Sequence, residues 1–269
     1  MSRYDAMFER ARERREGVFG GFLMLGDPDR ARSDLLLDAL VEGGADMVEL
    51  GIPFSDPIAD GPVIEAAANR ALAAGIRTAD CFAMIADFRA RHPEIPVGIL
   101  TYANLVSARG REAFARELAA AGADSLLVAD VPLFEAGPYL SAARDAGIAP
   151  VLIAAGNAPD ERLREIARRG GGYTYCLARA GVTGEREGID LDHGPMLALL
   201  KAAGAPPPIL GFGSRRKRRP AGRVARFRRP NEGGDAARLT PIQRPRAAED
   251  FSACTESPYR LVRRHVSSY

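Results

Sequence analysis

One carboxylate stands inside an otherwise apolar run. In MVELG at 47–51, strand alternation puts Glu49 on the same face as Met47. A carboxylate at such a point is either desolvated in the mouth of a pocket or solvated at its rim. On position alone, a rim carboxylate held by a neighbouring Arg or a backbone amide is as good a reading as a catalytic one. The adjoining segment shifts the balance: IPFSDPIADGP at 52–62 is a loop stiffened by Pro53, Pro57 and Pro62 that brings back a second carboxylate, Asp60. Two carboxylates in unlike surroundings can divide acid–base work from electrostatic stabilisation of charge. Metal chemistry has little to draw on. Cys81, Cys176 and Cys254 are far apart with no CxxC, and only His92, His193 and His265 accompany them.

Holding such a pair requires rigid elements, and the chain supplies them periodically. A helical stretch rich in Ala, Arg and Glu ends at a small-residue stop, and a short aliphatic run comes next. Gly43-Gly44-Ala45-Asp46 precedes MVELG, Ala121-Gly122-Ala123-Asp124 precedes SLLVAD, and Gly204-Ala205-Pro206-Pro207 precedes PILGF. Gly ends a helix in the left-handed conformation and Pro prevents its continuation. The pattern predicts seven strands, near 18–24, 47–51, 97–101, 125–129, 149–154, 173–177 and 208–212. They are apolar at nearly every position, as parallel strands covered on both faces are. Their spacing suits βα units, and the wider gap after the second leaves room for an additional helix. A closed (β/α)8 barrel and an open doubly wound sheet both satisfy this alternation. LMLGDPDRAR after the first strand lacks a glycine-rich dinucleotide turn, which favours the barrel. In a barrel, chemistry gathers at the C-terminal ends of the strands, where Glu49 and Asp60 fall.

The 269 residues hold 37 Lys+Arg against 35 Asp+Glu, 46% hydrophobic residues and no Trp. Those figures fit one sizeable folded domain and exclude collagenous, disulfide-stapled or wholly disordered chains. The balance of +2 hides a division at Gly213: the part after it carries 15 basic and five acidic residues, the part before it 22 and 30. An acidic body and a basic tail have to be read separately. The start, MSRYDAMFERARERREG, alternates charged and apolar residues at helical spacing and lacks the apolar core of a signal peptide. No run approaches the roughly 20 apolar residues of a membrane span. With the cysteines read as reduced, the expectation is a cytoplasmic protein without membrane association.

Taken in order, LMLGDP at 23–28, EGGADMVELGIPFSDPIADGP at 42–62, YAN at 102–104, LVADVP at 127–132, GYTYCLARAGVTG at 172–184 and GFG at 211–213 resemble the tryptophan synthase alpha subunit. The resemblance covers residues 3–213, some four-fifths of the chain. It implies a (β/α)8 TIM barrel of the ribulose-phosphate-binding type, with seven recognisable βα units over 1–213. It also implies a lyase of tryptophan biosynthesis that cleaves indole-3-glycerol phosphate to indole and glyceraldehyde 3-phosphate. This retro-aldol step runs without metal or Schiff base, so no cofactor is expected in this chain. The implied partner is a pyridoxal-phosphate beta subunit in an α2β2 heterotetramer, met by the loop of Pro53, Asp56 and Pro57.

Carried over residue by residue, Glu49 matches the family's general acid/base, whose partial burial would raise its pKa. Asp60 matches the carboxylate that binds the indole N–H. Tyr175 matches the tyrosine beside the catalytic Glu, where its hydroxyl would orient the carboxylate; read alone, it is equally a buried aromatic of a barrel strand. Phe22, Leu100, Leu127, Ile153 and Phe212 suit the walls of an indole pocket, although each alone is ordinary core. Gly181-Val182-Thr183-Gly184 resembles the family's lid, where Thr183 would contact Asp60 on closure and Gly184 would offer its amide to phosphate. Gly213 is the second phosphate candidate. Ala178 and Ala180 stand where the family often has serines, which bears on the hydrogen bonding of the lid.

Beyond GFG the family's turn, eighth strand, Gly-Ser phosphate loop and last helix have no counterpart. Nine of the fifteen residues 215–229 are basic, and no apolar run long enough for a buried strand comes after them. The expected fold is therefore a barrel whose eighth strand and helix are missing or replaced, continued by a disordered tail over 214–269. A nucleic-acid patch is one reading of that tail. A change of reading frame near Gly213 is preferred, because the resemblance stops abruptly and 35 Arg against two Lys mark a GC-rich gene. Such an end would leave two strand edges open and weaken phosphate binding. An impaired subunit that only docks on beta is thus the alternative to an active lyase, and nucleic-acid binding ranks third.

Overall fold

The computed structural model describes residues 1–177 and 193–211, together with the backbone of 264–265. The chain opens on helix α1 (Arg3–Arg14). Ser2 caps it: its hydroxyl accepts the Asp5 N–H at 3.1 Å, while the Asp5 carboxylate accepts the Ser2 N–H at 2.9 Å. Tyr4, Met7, Phe8 and Ala11 recur at helical spacing and form its buried face.

Strands β1 (Gly20–Met24), β2 (Met47–Gly51), β3 (Val97–Thr101) and β4 (Ser125–Val128) pair in parallel in chain order. Every residue of β1, β2 and β3 is buried, because helices cover one face and interior side chains the other. The fifth strand, expected at 149–154, comes as two pieces. β5 (Ala149–Pro150) pairs with β4, and β6 (Leu152–Ala155) pairs with β7 (Thr174–Leu177). Between them the Val151 N–H donates to the Leu126 carbonyl at 2.9 Å, and the Pro150 carbonyl accepts the Gly171 N–H at 2.8 Å. One continuous stretch thus hands the sheet on from β4 to β7, and β8 (Pro208–Gly211) pairs with β7 in parallel.

The wide gap after β2 holds two helices as expected, α3 (Pro62–Ala73) and α4 (Thr78–Arg91), while α2 (Arg30–Glu42) connects β1 to β2. The connection from β3 to β4 is also divided, into α5 (Ala103–Arg109) and α6 (Arg111–Ala120), at Gly110, whose φ of 82° no other residue type adopts readily. α7 (Gly137–Asp145), α8 (Asp160–Arg169) and α9 (Gly194–Ala202) complete the alternation. Two apolar layers result. An outer one, with Leu37, Val48, Phe88, Ile99 and Phe114, lies between strands and helices. An inner one joins the buried face of α1 to Phe22, Met47, Leu100, Leu127, Tyr173 and Tyr175.

On the edge of β1 away from β2 lies β9 (Arg264–His265), parallel to it, with Arg264 opposite Gly21 and His265 opposite Phe22. No strand of ordinary length occupies that edge among the described residues, in keeping with an eighth strand missing or replaced. That two residues of the basic tail nonetheless lie in the ladder is a property of β1 itself, whose outward N–H and C=O groups accept an extended backbone of any sequence. Among the described residues no pairing joins β8 to β9. The disorder expected over 214–269 otherwise concerns residues outside those described.

Candidate active site

Glu49 sits in the middle of β2, in register with Phe22 of β1 and Gly98 of β3, and is only 3% exposed. The Tyr173 hydroxyl donates to its Oε1 at 2.9 Å. Beside this bond, the Tyr4 and Ser125 hydroxyls pair at 2.8 Å, and the Tyr4 and Tyr173 rings lie 5.4 Å apart between centroids. The three hydroxyls crowd one point because Gly98 has no side chain. A Cβ there would lie 3.0 Å from the Tyr4 hydroxyl, 3.1 Å from Ser125 Oγ and 3.3 Å from the Tyr173 hydroxyl. Burial pushes both phenols well above their ordinary pKa, and the neighbouring Glu49 pushes each further. Both stay protonated, so Tyr173 is a donor to the carboxylate rather than a competitor for its proton.

The sequence places Tyr175 beside Glu49, and its neighbour on the same face, Tyr173, is close to that carboxylate as well. Strand alternation places both on the inner face, and the 2.9 Å bond to Glu49 Oε1 comes from Tyr173. Tyr175 is fully buried in the same inner layer, opposite Ile153 on one side and Ile209 on the other. A Cβ on Gly211 would collide with the Tyr175 hydroxyl, so glycine at the end of β8 makes room for that ring. Phe22, Leu100 and Leu127 share this layer, with Ile153 partly buried against it. The structure therefore brings together the apolar positions expected of the pocket wall, Phe212 excepted. Phe212, Gly213, Thr183 and Gly184 lie outside the described residues.

Asp60 is half-buried on the loop between β2 and α3. That loop is gripped by Tyr102, directly after β3. The Tyr102 hydroxyl accepts the Ala59 N–H at 3.3 Å, directly before Asp60, and its ring lies 5.4 Å from that of Phe54. Burial, then the charge of Asp60, raise the pKa of the Tyr102 phenol. In the sequence Tyr102 belongs to the YAN motif at 102–104; the further signal is an aromatic with a polar tip at a strand end, where such a tip finds a partner. Of the loop residues expected to meet a partner, Pro53 is buried, Pro57 half-buried and Asp56 exposed, next to Ile58 at 72% exposure.

Among the described residues, no group of three or more His, Cys, Asp or Glu is placed to hold a metal ion, and no helix is long and apolar enough to cross a membrane. Cys81 and Cys176 are buried free thiols, their pKa pushed up to about 12 by burial.

A sequence profile of the tryptophan synthase alpha chain matches residues 8–226. The tryptophan synthase alpha chain of Shewanella amazonensis is 54% identical over 215 residues, covering 79% of this chain and 80% of that one. The alpha chain of Escherichia coli strain SMS-3-5 is 51% identical over the same length, covering 79% and 80%. Among solved structures, tryptophan synthase from Mycobacterium tuberculosis superposes with a TM-score of 0.72 at 32% identity, covering 80% of this chain and 81% of that one. The tryptophan synthase a2b2 complex from Pyrococcus furiosus gives 0.67 at 39% identity, covering 74% and 79%. Barrel, interior carboxylate and sequence agree: the chain belongs to the tryptophan synthase alpha chain family.

Proposed function

We propose that the chain performs the alpha reaction of tryptophan biosynthesis, cleaving indole-3-glycerol phosphate to indole and glyceraldehyde 3-phosphate, with Glu49 and Asp60 dividing the work. The observation that carries the reading is the placement of Glu49, a carboxylate 3% exposed in the apolar interior of a barrel with a tyrosine hydroxyl on one oxygen. The reaction needs one proton delivered to indole C3 and one removed from the glycerol hydroxyl beside the bond that breaks. Protonation leaves a cationic ring; as the aldehyde forms, the electron pair of the broken carbon–carbon bond neutralises it, and indole leaves. Protons balance, so a single carboxylate facing both atoms can serve both transfers.

Asp60 accepts the indole N–H and stabilises the cation formed when C3 is protonated, an interaction strongest in the transition state. Phe22, Leu100, Leu127 and Ile153, with Tyr175, wall the ring and exclude water. Phe212 completes that wall in this reading, Thr183 closes over Asp60, and the amides of Gly184 and Gly213 hold the phosphate. Indole passes to a beta subunit carrying pyridoxal phosphate, in an α2β2 assembly met through the exposed tip of the loop at Asp56 and Pro57, with Pro53 as its buried root. A cytoplasmic location goes with the reading, since the free thiols Cys81 and Cys176 suit a reducing compartment.

Glu49→Gln keeps the shape of the side chain while removing its acid–base function. It is expected to lower kcat by about 10³ with Tm unchanged. A variant that turns over substrate like the parent chain sinks the assignment. A second reading, a subunit that docks on beta without cleaving substrate, is favoured by where the family match stops, at residue 226, short of the family's last phosphate loop. It predicts a full chain that co-purifies with beta yet releases no indole.

A further inference from the structure

Tyr102 holds the loop of Asp60 at both ends. Its ring packs on Phe54 near the start of the loop, and its hydroxyl accepts the N–H of Ala59, the residue before Asp60, near the end. Between those two grips lies the tip, where Asp56 and Ile58 are exposed. Tyr102 itself is 3% exposed and cannot swing away. Its backbone is fixed on either side, by β3 before it and by the Ala103 N–H donating to Asp130 Oδ1 at 2.8 Å after it.

We propose that Tyr102 is a positioning residue for Asp60: a strut from the rim of β3 that holds the loop directly before the carboxylate and so fixes its place at the mouth of the barrel. The inference rests on the reading that Asp60 accepts the indole N–H. An Asp on a loop, by contrast with Glu49 on a strand, has no ladder to hold it. A displacement of about 1 Å at such a group costs up to about 10² in rate.

Tyr102→Phe keeps the ring on Phe54 and removes only the hydroxyl. In the full chain it is expected to lower kcat about tenfold and to leave the KM for indole-3-glycerol phosphate within about twofold, at unchanged Tm. The second readout is a double-mutant cycle with Asp60→Asn, scored on the affinity for indole. Because the chain has no Trp, fluorescence of the indole ring, excited on the long-wavelength side where tyrosine absorbs little, reports binding without a tryptophan background. Acting through Asp60, Tyr102→Phe weakens indole binding in the parent chain and changes it less than about twofold once Asp60 is Asn. An equal loss in both backgrounds, or a kcat within twofold of the parent, overturns the strut. If Asp60→Asn itself changes neither kcat nor indole affinity, or the full chain binds no indole, the reading of Asp60 fails instead. If Asp60→Asn lowers both and Tyr102→Phe neither, only the strut fails.

Discussion

The floor and the mouth of the barrel are built differently. At the floor, Asp124 accepts Arg3 at 2.8 Å, Arg89 at 2.6 Å and the Val97 N–H at 2.8 Å. Arg89 further spans the carbonyls of Gly122 at 2.9 Å and Ile95 at 2.7 Å. Helix ends, a strand start and α1 are thus tied by groups on regular elements. At the mouth, Asp60 and its neighbours sit on a loop gripped by Tyr102. Barrels separate stability from chemistry in this way, and the two carboxylates of the site fall on opposite sides of the division: Glu49 is rooted in a strand, Asp60 is not.

The separation can be broken experimentally in either direction. Glu49→Gln has the largest expected effect, a loss of about 10³ in kcat with no change in Tm. Asp124→Ala is its mirror image. It leaves Arg89, whose side chain is 13% exposed, with an unpaired charge, and should cost about 3 kcal/mol in unfolding by denaturant. The same variant is expected to keep kcat within about twofold under conditions where it is folded. A floor variant that loses turnover before it loses stability would show that the two regions are coupled.

The division also explains what the sequence made legible. Seven strands were readable because each is an apolar run behind a small-residue stop, Glu49 because a carboxylate stands out in such a run, and Asp60 because it returns on the proline-stiffened loop that comes next. Phe22, Leu100, Leu127 and Ile153 were readable as one inner apolar layer because strand alternation puts them on a common face. What stayed hidden depends on contacts across the barrel. Tyr173 donates to Glu49 across 124 residues of chain, from just before β7, a contact that no local pattern announces. Tyr4 reaches Ser125 from a helix 121 residues away in the chain. The division of α5 from α6 turns on a single glycine inside a helical pattern, and β9 pairs through its backbone in a tail whose side chains signal no strand.

Gly98 is where floor and site meet, because its missing side chain accommodates Tyr4 and Ser125 on one side and Tyr173 on the other. Gly98→Ala introduces a methyl group at 3.0–3.3 Å from all three hydroxyls. Its φ is not in the left-handed region, so the cost is overpacking alone, about 1–2 kcal/mol in Tm-derived stability. Both stability and kcat are expected to fall together, in contrast to Glu49→Gln and Asp124→Ala, which each move one of the two. Retained turnover at lowered Tm would confine Gly98 to the floor.

The smallest effect belongs to Tyr173→Phe. Removing one hydroxyl from a fully packed ring leaves the apolar wall and the Tyr4–Ser125 bond intact, so Tm should move little. Glu49 loses the donor on Oε1, worth about 1.5 kcal/mol for a bond to a charged group, part of which the carboxylate recovers by turning toward substrate or water. The expected outcome is a fall in kcat of about threefold to tenfold with KM nearly unchanged, read from steady-state cleavage of indole-3-glycerol phosphate. A KM effect alone would make Tyr173 part of the pocket wall; a kcat effect alone makes it the residue that aims Glu49.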